Sequence, residues 1–110
     1  FAGNSGGTGG NGGDTTTATS ANLNAPAGTW VDNAGNIYIA DTVNNRLRKV
    51  DLTGIITNFA GDPLGTACNT GDTGQATKSN LNAPLGIWGD NLGNIYFYDT
   101  SNNRVRRIKY

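Results

Sequence analysis

At 110 residues the chain has the length of one small domain, but only 35% of it is apolar and 17 residues are glycine, so buried area must offset a large ordering cost. Eight basic residues balance eight acids, which excludes the positive footprint of a nucleic-acid binder and any attraction to an anionic membrane surface. No apolar run approaches the roughly 18–20 residues of a membrane span, and nothing resembles a signal peptide. All eight acids are Asp, most beside Gly, Asn or Thr, where they serve as turn residues. Histidine is absent, which removes the commonest general base and the commonest metal ligand together.

The chain opens on Phe1-Ala2-Gly3, which reads as the end of a strand begun upstream. A long connection follows to residue 27. It is nearly of low complexity over 6–13, then passes through the Thr-rich run Thr15–Ala21, which has room for one helical turn. Gly28–Asp32 is predicted as the first strand, and Asn33-Ala34-Gly35-Asn36 turns it, with Gly35 supplying a positive φ. Ile37–Ala40 is a second strand, apolar on both faces, as suits a sheet covered on both sides. Asp41–Asn45 turns again. Arg46–Val50 alternates basic and apolar residues and is expected to be the more exposed third strand. Asp51–Gly54 turns once more into a fourth strand, Ile55–Ala60.

The whole pattern then repeats. Residues 1–52 align with 59–110 without a gap at a spacing of 58, and 30 of the 52 pairs are identical. Such a period marks a propeller, solenoid or array, whose units bury their faces on one another. Four short antiparallel strands per unit make a blade. The expected division is a first repeat over 1–58 (loop 3–27, strands 28–60) and a second over 59–110 (loop 61–85, strands 86–110), the second lacking its outer strand. The expected fold class is therefore all-β, two β-propeller blades. Because the chain begins inside a repeat, it reads as a segment of a longer array, with an engineered two-unit chain as the alternative.

These residues resemble the NHL repeat, a unit of six-bladed β-propellers. The resemblance is carried by Pro26, Gly28, Asp32, Gly35-Asn36-Ile37-Tyr38, Ala40-Asp41-Thr42 and Asn44-Asn45-Arg46, and by their counterparts from Pro84 to Arg104. The connections look like the long NHL variant, with Gly13-Asp14 to Ala18-Thr19 and Gly71-Asp72 to Ala76-Thr77 in its insertion. The family's name-giving histidine is replaced by Asn45 and Asn103, and the metal-dependent lyases of related blade pattern need histidines that are absent here. Gly89, against Val31, and Tyr98, against Ala40, break the symmetry. The resemblance implies roles in protein binding, RNA binding or extracellular scaffolding, and a fold alone does not choose among them.

Several residues are candidates for a site. The turns Asp41–Arg46 and Asp99–Arg104 offer polar side chains, but Asn and Asp there first satisfy turn amides while Arg pairs with a nearby Asp. The strand cations Arg46, Arg48, Lys49, Arg104, Arg106, Arg107 and Lys109 read as a solvated blade face with local ion pairs. Asp14 and Asp72 are weak calcium candidates, since one carboxylate per loop falls short of six to eight oxygens. Trp30 and Trp88 are expected in packing between blades. Cys68 is the only cysteine, so it is a free thiol or an intermolecular link. The Thr-rich run reads as plain loop, with O-linked sugar as the alternative, and no N-glycosylation sequon occurs.

The function expected from these readings is a non-catalytic structural module, extracellular or at the cell surface, without cofactor, that stacks blade to blade. Its partners are further copies of itself or further blades of a parent chain. The open edge of the second blade (Arg106, Ile108, Tyr110) and the strand end Phe1-Ala2-Gly3 are the expected assembly residues. The alternatives are a propeller that recognises protein or glycan through its loops, and a piece of a propeller enzyme whose active site lies elsewhere.

Overall fold

In a computed structural model that describes residues 1–67 and 76–110, the chain is all-β. Two antiparallel sheets lie face to face, one per repeat. Strand β1 (Thr16–Thr17) precedes the first blade, formed by β2 (Pro26–Val31), β3 (Ile37–Asp41), β4 (Arg46–Val50) and β5 (Ile55–Ala60). The second blade has β6 (Pro84–Gly89), β7 (Asn94–Asp99) and β8 (Arg104–Lys109). The strand orders are β1-β5-β4-β3-β2 and β6-β7-β8. The second sheet thus ends at β8 among the described residues, as the missing fourth strand of the second repeat predicts.

The turns are built as the Asp-rich sequence dictates. Asp32 accepts hydrogen bonds from the Asn36 backbone N–H at 2.8 Å, the Asn36 side chain at 2.9 Å and the Tyr38 hydroxyl at 3.1 Å. Gly35 sits at φ 94°, where a side chain would be strained. Asp90 repeats the device with Asn94. Burial works to raise the Asp32 pKa, but the bonds from Asn36 and Tyr38 outweigh it and hold the carboxyl below its ordinary value of 3.8. The folded chain therefore binds this proton less readily than the unfolded chain, so the stabilisation is complete above the ordinary carboxylate range and is lost as pH falls through the folded value. Asp32→Asn should lower the melting temperature at neutral pH, and the gap from wild type should close on acidification. A gap that stays constant between about pH 6 and about pH 2.5 would contradict this coupling.

Two features depart from the expected blade. A fifth strand is added outside the first blade, where Thr16 and Thr17 pair with Ile56 and Ile55. The Thr-rich run contributes this strand and then one 3₁₀ turn, Ala18–Ser20. The third strand is also not the exposed one. Arg46, Leu47, Arg48 and Val50 are all buried, because the glycine-rich connection folds back over Arg46, Arg48 and Val50 while Leu47 packs toward the second repeat. Arg46 and Arg48 therefore lie in an interior network and not on a solvated face, while Lys49 is half-buried near the Tyr38 ring. On β8 the alternation persists, and Val105, Arg107 and Lys109 are exposed.

The faces of the first blade pack against different partners. Tyr38, Ala40, Leu47 and Ala60 face the second repeat and meet Leu81, Ile87, Ile95 and Phe97 in the main core. Ile39, Val50 and Ile56 point the other way, against Ala18 and Ala21 of the connection.

Candidate functional site

The seam between the blades shows what such a face requires. The Trp30 ring stacks on Tyr38 at 5.4 Å between centroids and lies over Gly89 of the second blade. A Cβ on Gly89 would come within 2.5 Å or less of three Trp30 ring carbons. The departure of Gly89 from the repeat is thus a socket for Trp30. Further toward the start of the strands, a Cβ on Gly28 would meet the Leu85 carbonyl oxygen at 2.6 Å, so the backbones of β2 and β6 approach closely there. Polar bonds close the rim. The Thr42 hydroxyl donates to the Pro84 carbonyl at 2.7 Å. Asn45, at φ 54°, donates to the Gly65 carbonyl at 3.0 Å and accepts from the Ala83 N–H at 2.9 Å. The residue in place of the family's histidine therefore ties one repeat to the next.

The second blade carries the same face, and among the described residues nothing covers it. Trp88 is 58% exposed, Tyr98 58% and Val105 63%. Trp88 and Tyr96 lie 5.8 Å apart at 31°, close to the 30° of the covered Trp30–Tyr38 pair. A groove of about 570 Å³ runs between Trp88, Tyr96, Tyr98 and Val105, floored by Gly86, Ile87 and Phe97. The Tyr98 ring covers Gly86, with two ring carbons 2.9 Å from where a Cβ would stand. Trp30 thus fulfils the expectation of packing between blades, whereas Trp88 is open to solvent. A contiguous apolar face of this kind marks an interaction surface.

A second constellation lies inside the first repeat. Arg46 donates to Asp14 at 2.6 Å and to the Asn11 carbonyl at 2.9 Å. Arg48 donates to Asp14 at 2.9 Å, to the Asn22 carbonyl at 2.7 Å and to the Gly12 carbonyl at 3.2 Å. Asp41, fully buried, stands 3.7 Å from Arg46 and 3.6 Å from Arg48. It also accepts from the Asn24 N–H and the Asn44 side chain. Burial raises the Asp41 carboxyl against the opposing pull of these bonds and of both arginines, and burial lowers Arg48. The glycine-rich connection is therefore a defined carbonyl cradle around two guanidinium groups. The second repeat echoes it, with Arg106 bonded to the Asn80 carbonyl at 2.9 Å and to Asp99 at 3.2 Å.

The remaining candidates fall as follows. The Asp14 carboxylate is shared between two arginines, which gives it structural partners in place of a metal ion. Asp72 and Cys68 lie outside the described residues. No group of three or more His, Cys or Asp side chains that could hold a metal occurs among the described residues. Phe1 is 77% exposed, Ala2 packs on the Ile39–Ile56 core, and the Gly3 N–H donates to the Ala18 carbonyl. Ile108 packs on the main core, and the Tyr110 ring sits 5.8 Å from Tyr38 and 6.3 Å from Phe59. Ile108 and Tyr110 thus contribute to the internal seam, while the open face carries Trp88, Tyr98 and Val105. Tyr98, which stands against Ala40 in the repeat, was the sequence signal for that face, and Gly89, against Val31, was the signal for the seam.

A family model described as the teneurin NHL domain matches residues 6–67, more than half of the chain. Teneurin-4 of Homo sapiens is 34% identical over 105 residues, covering 84% of this chain, and Teneurin-4 of Mus musculus matches equally. The chain spans 4% of the length of these relatives. Among solved structures, a Bacteroides thetaiotaomicron protein of unknown function superposes with a TM-score of 0.78 at 25% identity, over 89% of this chain and 25% of that one. An auxiliary nutrient binding protein from the same organism superposes with a TM-score of 0.67 at 26% identity, over 86% of this chain and 25% of its own. The family match covers the Gly-Asn-Ile-Tyr, Asp-Thr and Asn-Asn-Arg positions that form the turns and inner strands of the first blade, and the chain belongs to the teneurin NHL domain family.

Proposed function

We propose that this segment is a non-catalytic structural module of a longer extracellular or cell-surface protein, acting by blade-to-blade packing within a β-propeller. The observation that carries the reading is the Trp88 face. Its equivalent on the first blade is buried by the second, and burying such aromatic surface is the main source of stability available to blades this poor in apolar residues. Short relatives of a large protein, here 4% of its length, fit a part and not a whole. The reading invokes no cofactor.

The test is hydroxyl-radical footprinting of the native protein that contains this segment, with electron microscopy of the same sample. Trp88 and Tyr98 should be protected to the level of Trp30 and Tyr38, and the particles should be closed rings of about six blades, the number implied by the NHL resemblance. Trp88 and Tyr98 as reactive as fully exposed rings would overturn the reading.

A second reading has two observations in its favour. The groove of about 570 Å³ is walled by three aromatic rings, a shape that suits the apolar face of a sugar or a peptide side chain, and a structural neighbour is named as a nutrient binding protein. On this reading the occupant is a protein or glycan ligand, and the rings are protected only when it is added.

A further inference from the structure

We infer that the Trp88 face selects its neighbour by size at one position: it accepts a blade with glycine where Val31 stands in this chain, and it rejects a second copy of the chain itself. The inference rests on the blade-packing reading above and goes on to say which blade can dock. The internal seam supplies the template, since the open face is the other side of the sheet that forms the seam and carries the Trp and Tyr of the first blade one repeat on.

In the seam, Trp30 projects from β2 onto the inner strand of the following blade, and the residue beneath its ring is Gly89. A shift of one repeat moves Trp30 onto Trp88 and Gly89 onto the position that Val31 holds in the first blade. Val31 lies on the upstream face of that blade, paired with Ile37, and is 53% exposed. A second copy docked head to tail would therefore bring Val31 beneath Trp88. At Gly89 a single Cβ already collides with three ring carbons, and valine adds two methyl groups to it. The ring cannot slide away without giving up its tilted contact with Tyr96, and rigid overpacking of this kind is costly.

A second position acts in the same direction. The seam places the small Ala40, fully buried, where the open face has Tyr98. The Tyr98 ring lies on Gly86. In the seam the equivalent Gly28 is covered by the backbone of the next blade, the Leu85 carbonyl and Gly86 Cα. A docking blade must therefore displace the Tyr98 ring and leave room for it. Val31 and Tyr98 together act against homotypic stacking, which would otherwise produce an open fibre from any head-to-tail pair that fails to close. The occupant we assign is a distinct blade of the same family with glycine at the socket position.

The test is a gain of association in the full chain, measured by sedimentation velocity over a concentration series. Wild type should sediment as a single chain. Val31→Gly combined with Tyr98→Ala rebuilds both halves of the internal seam, and self-association should tighten by about tenfold or more. Adding Trp88→Ala to that pair should abolish the gain. If the combined variant fails to fold, as judged by its melting transition, a mixture of the Tyr98→Ala chain and the Val31→Gly chain tests the same contact, and it should associate more tightly than either chain alone. The inference is overturned if wild type already assembles through Trp88, or if neither the combined variant nor the mixture associates more tightly than wild type. Failure of the underlying reading would appear separately, as an unprotected Trp88 in the native protein.

Discussion

Gly89→Ala should lower stability by about 3 kcal/mol. The position is on a strand with ordinary backbone, so the loss would come from the Trp30 ring and not from φ and ψ. The ring is held between Tyr38 and the second blade, so relieving the collision means opening the seam. Denaturant unfolding followed by tryptophan fluorescence would measure the loss. The decisive control is the background. Trp30→Ala should itself cost about 3 kcal/mol through the lost packing, yet Gly89→Ala added to it should be nearly neutral. If the two losses simply add, Trp30 and Gly89 are not coupled and the socket interpretation is wrong.

Asp14→Ala should cost about 3 kcal/mol, because it leaves Arg46 and Arg48 buried with Asp41 as their remaining carboxylate. The size of the effect lies in the uncompensated charge, not in the worth of the ion pair itself. An Arg46→Met and Arg48→Met background should therefore reduce the cost of Asp14→Ala to well under 1 kcal/mol. The same variant should release the glycine-rich connection. Limited proteolysis would then cut within residues 6–13 at rates far above wild type. Equal cleavage rates would mean that the cradle is held by its backbone contacts alone.

Both results depend on contacts that the sequence presents unevenly. The blade itself was legible: Ile37–Asp41, Arg46–Val50 and Ile55–Ala60 form strands close to their expected limits, since alternation and Asp, Asn and Gly turns are local signals. The inner strands begin two residues earlier than expected, at Pro26 and Pro84. Each of these prolines pairs across to the Asp that ends the next strand, a long-range pairing that local patterning does not report. The glycine-rich connection was harder to read. Its composition resembles a flexible linker, and its order comes from carbonyls gathered on arginines 26 to 36 positions away in the chain.

The repeat, its period, the all-β class and the incomplete second blade follow from the sequence alone, because each rests on patterns within one unit or on the comparison of two units. The burial of Arg46 and Arg48, the seating of Trp30 on Gly89 and the exposure of Trp88 and Tyr98 were decided only by the tertiary structure. Those outcomes depend on which face of a sheet meets which neighbour. An alternating strand has two faces of similar composition, and only the packing of one blade on the next decides which of them is covered and which is left open to a partner.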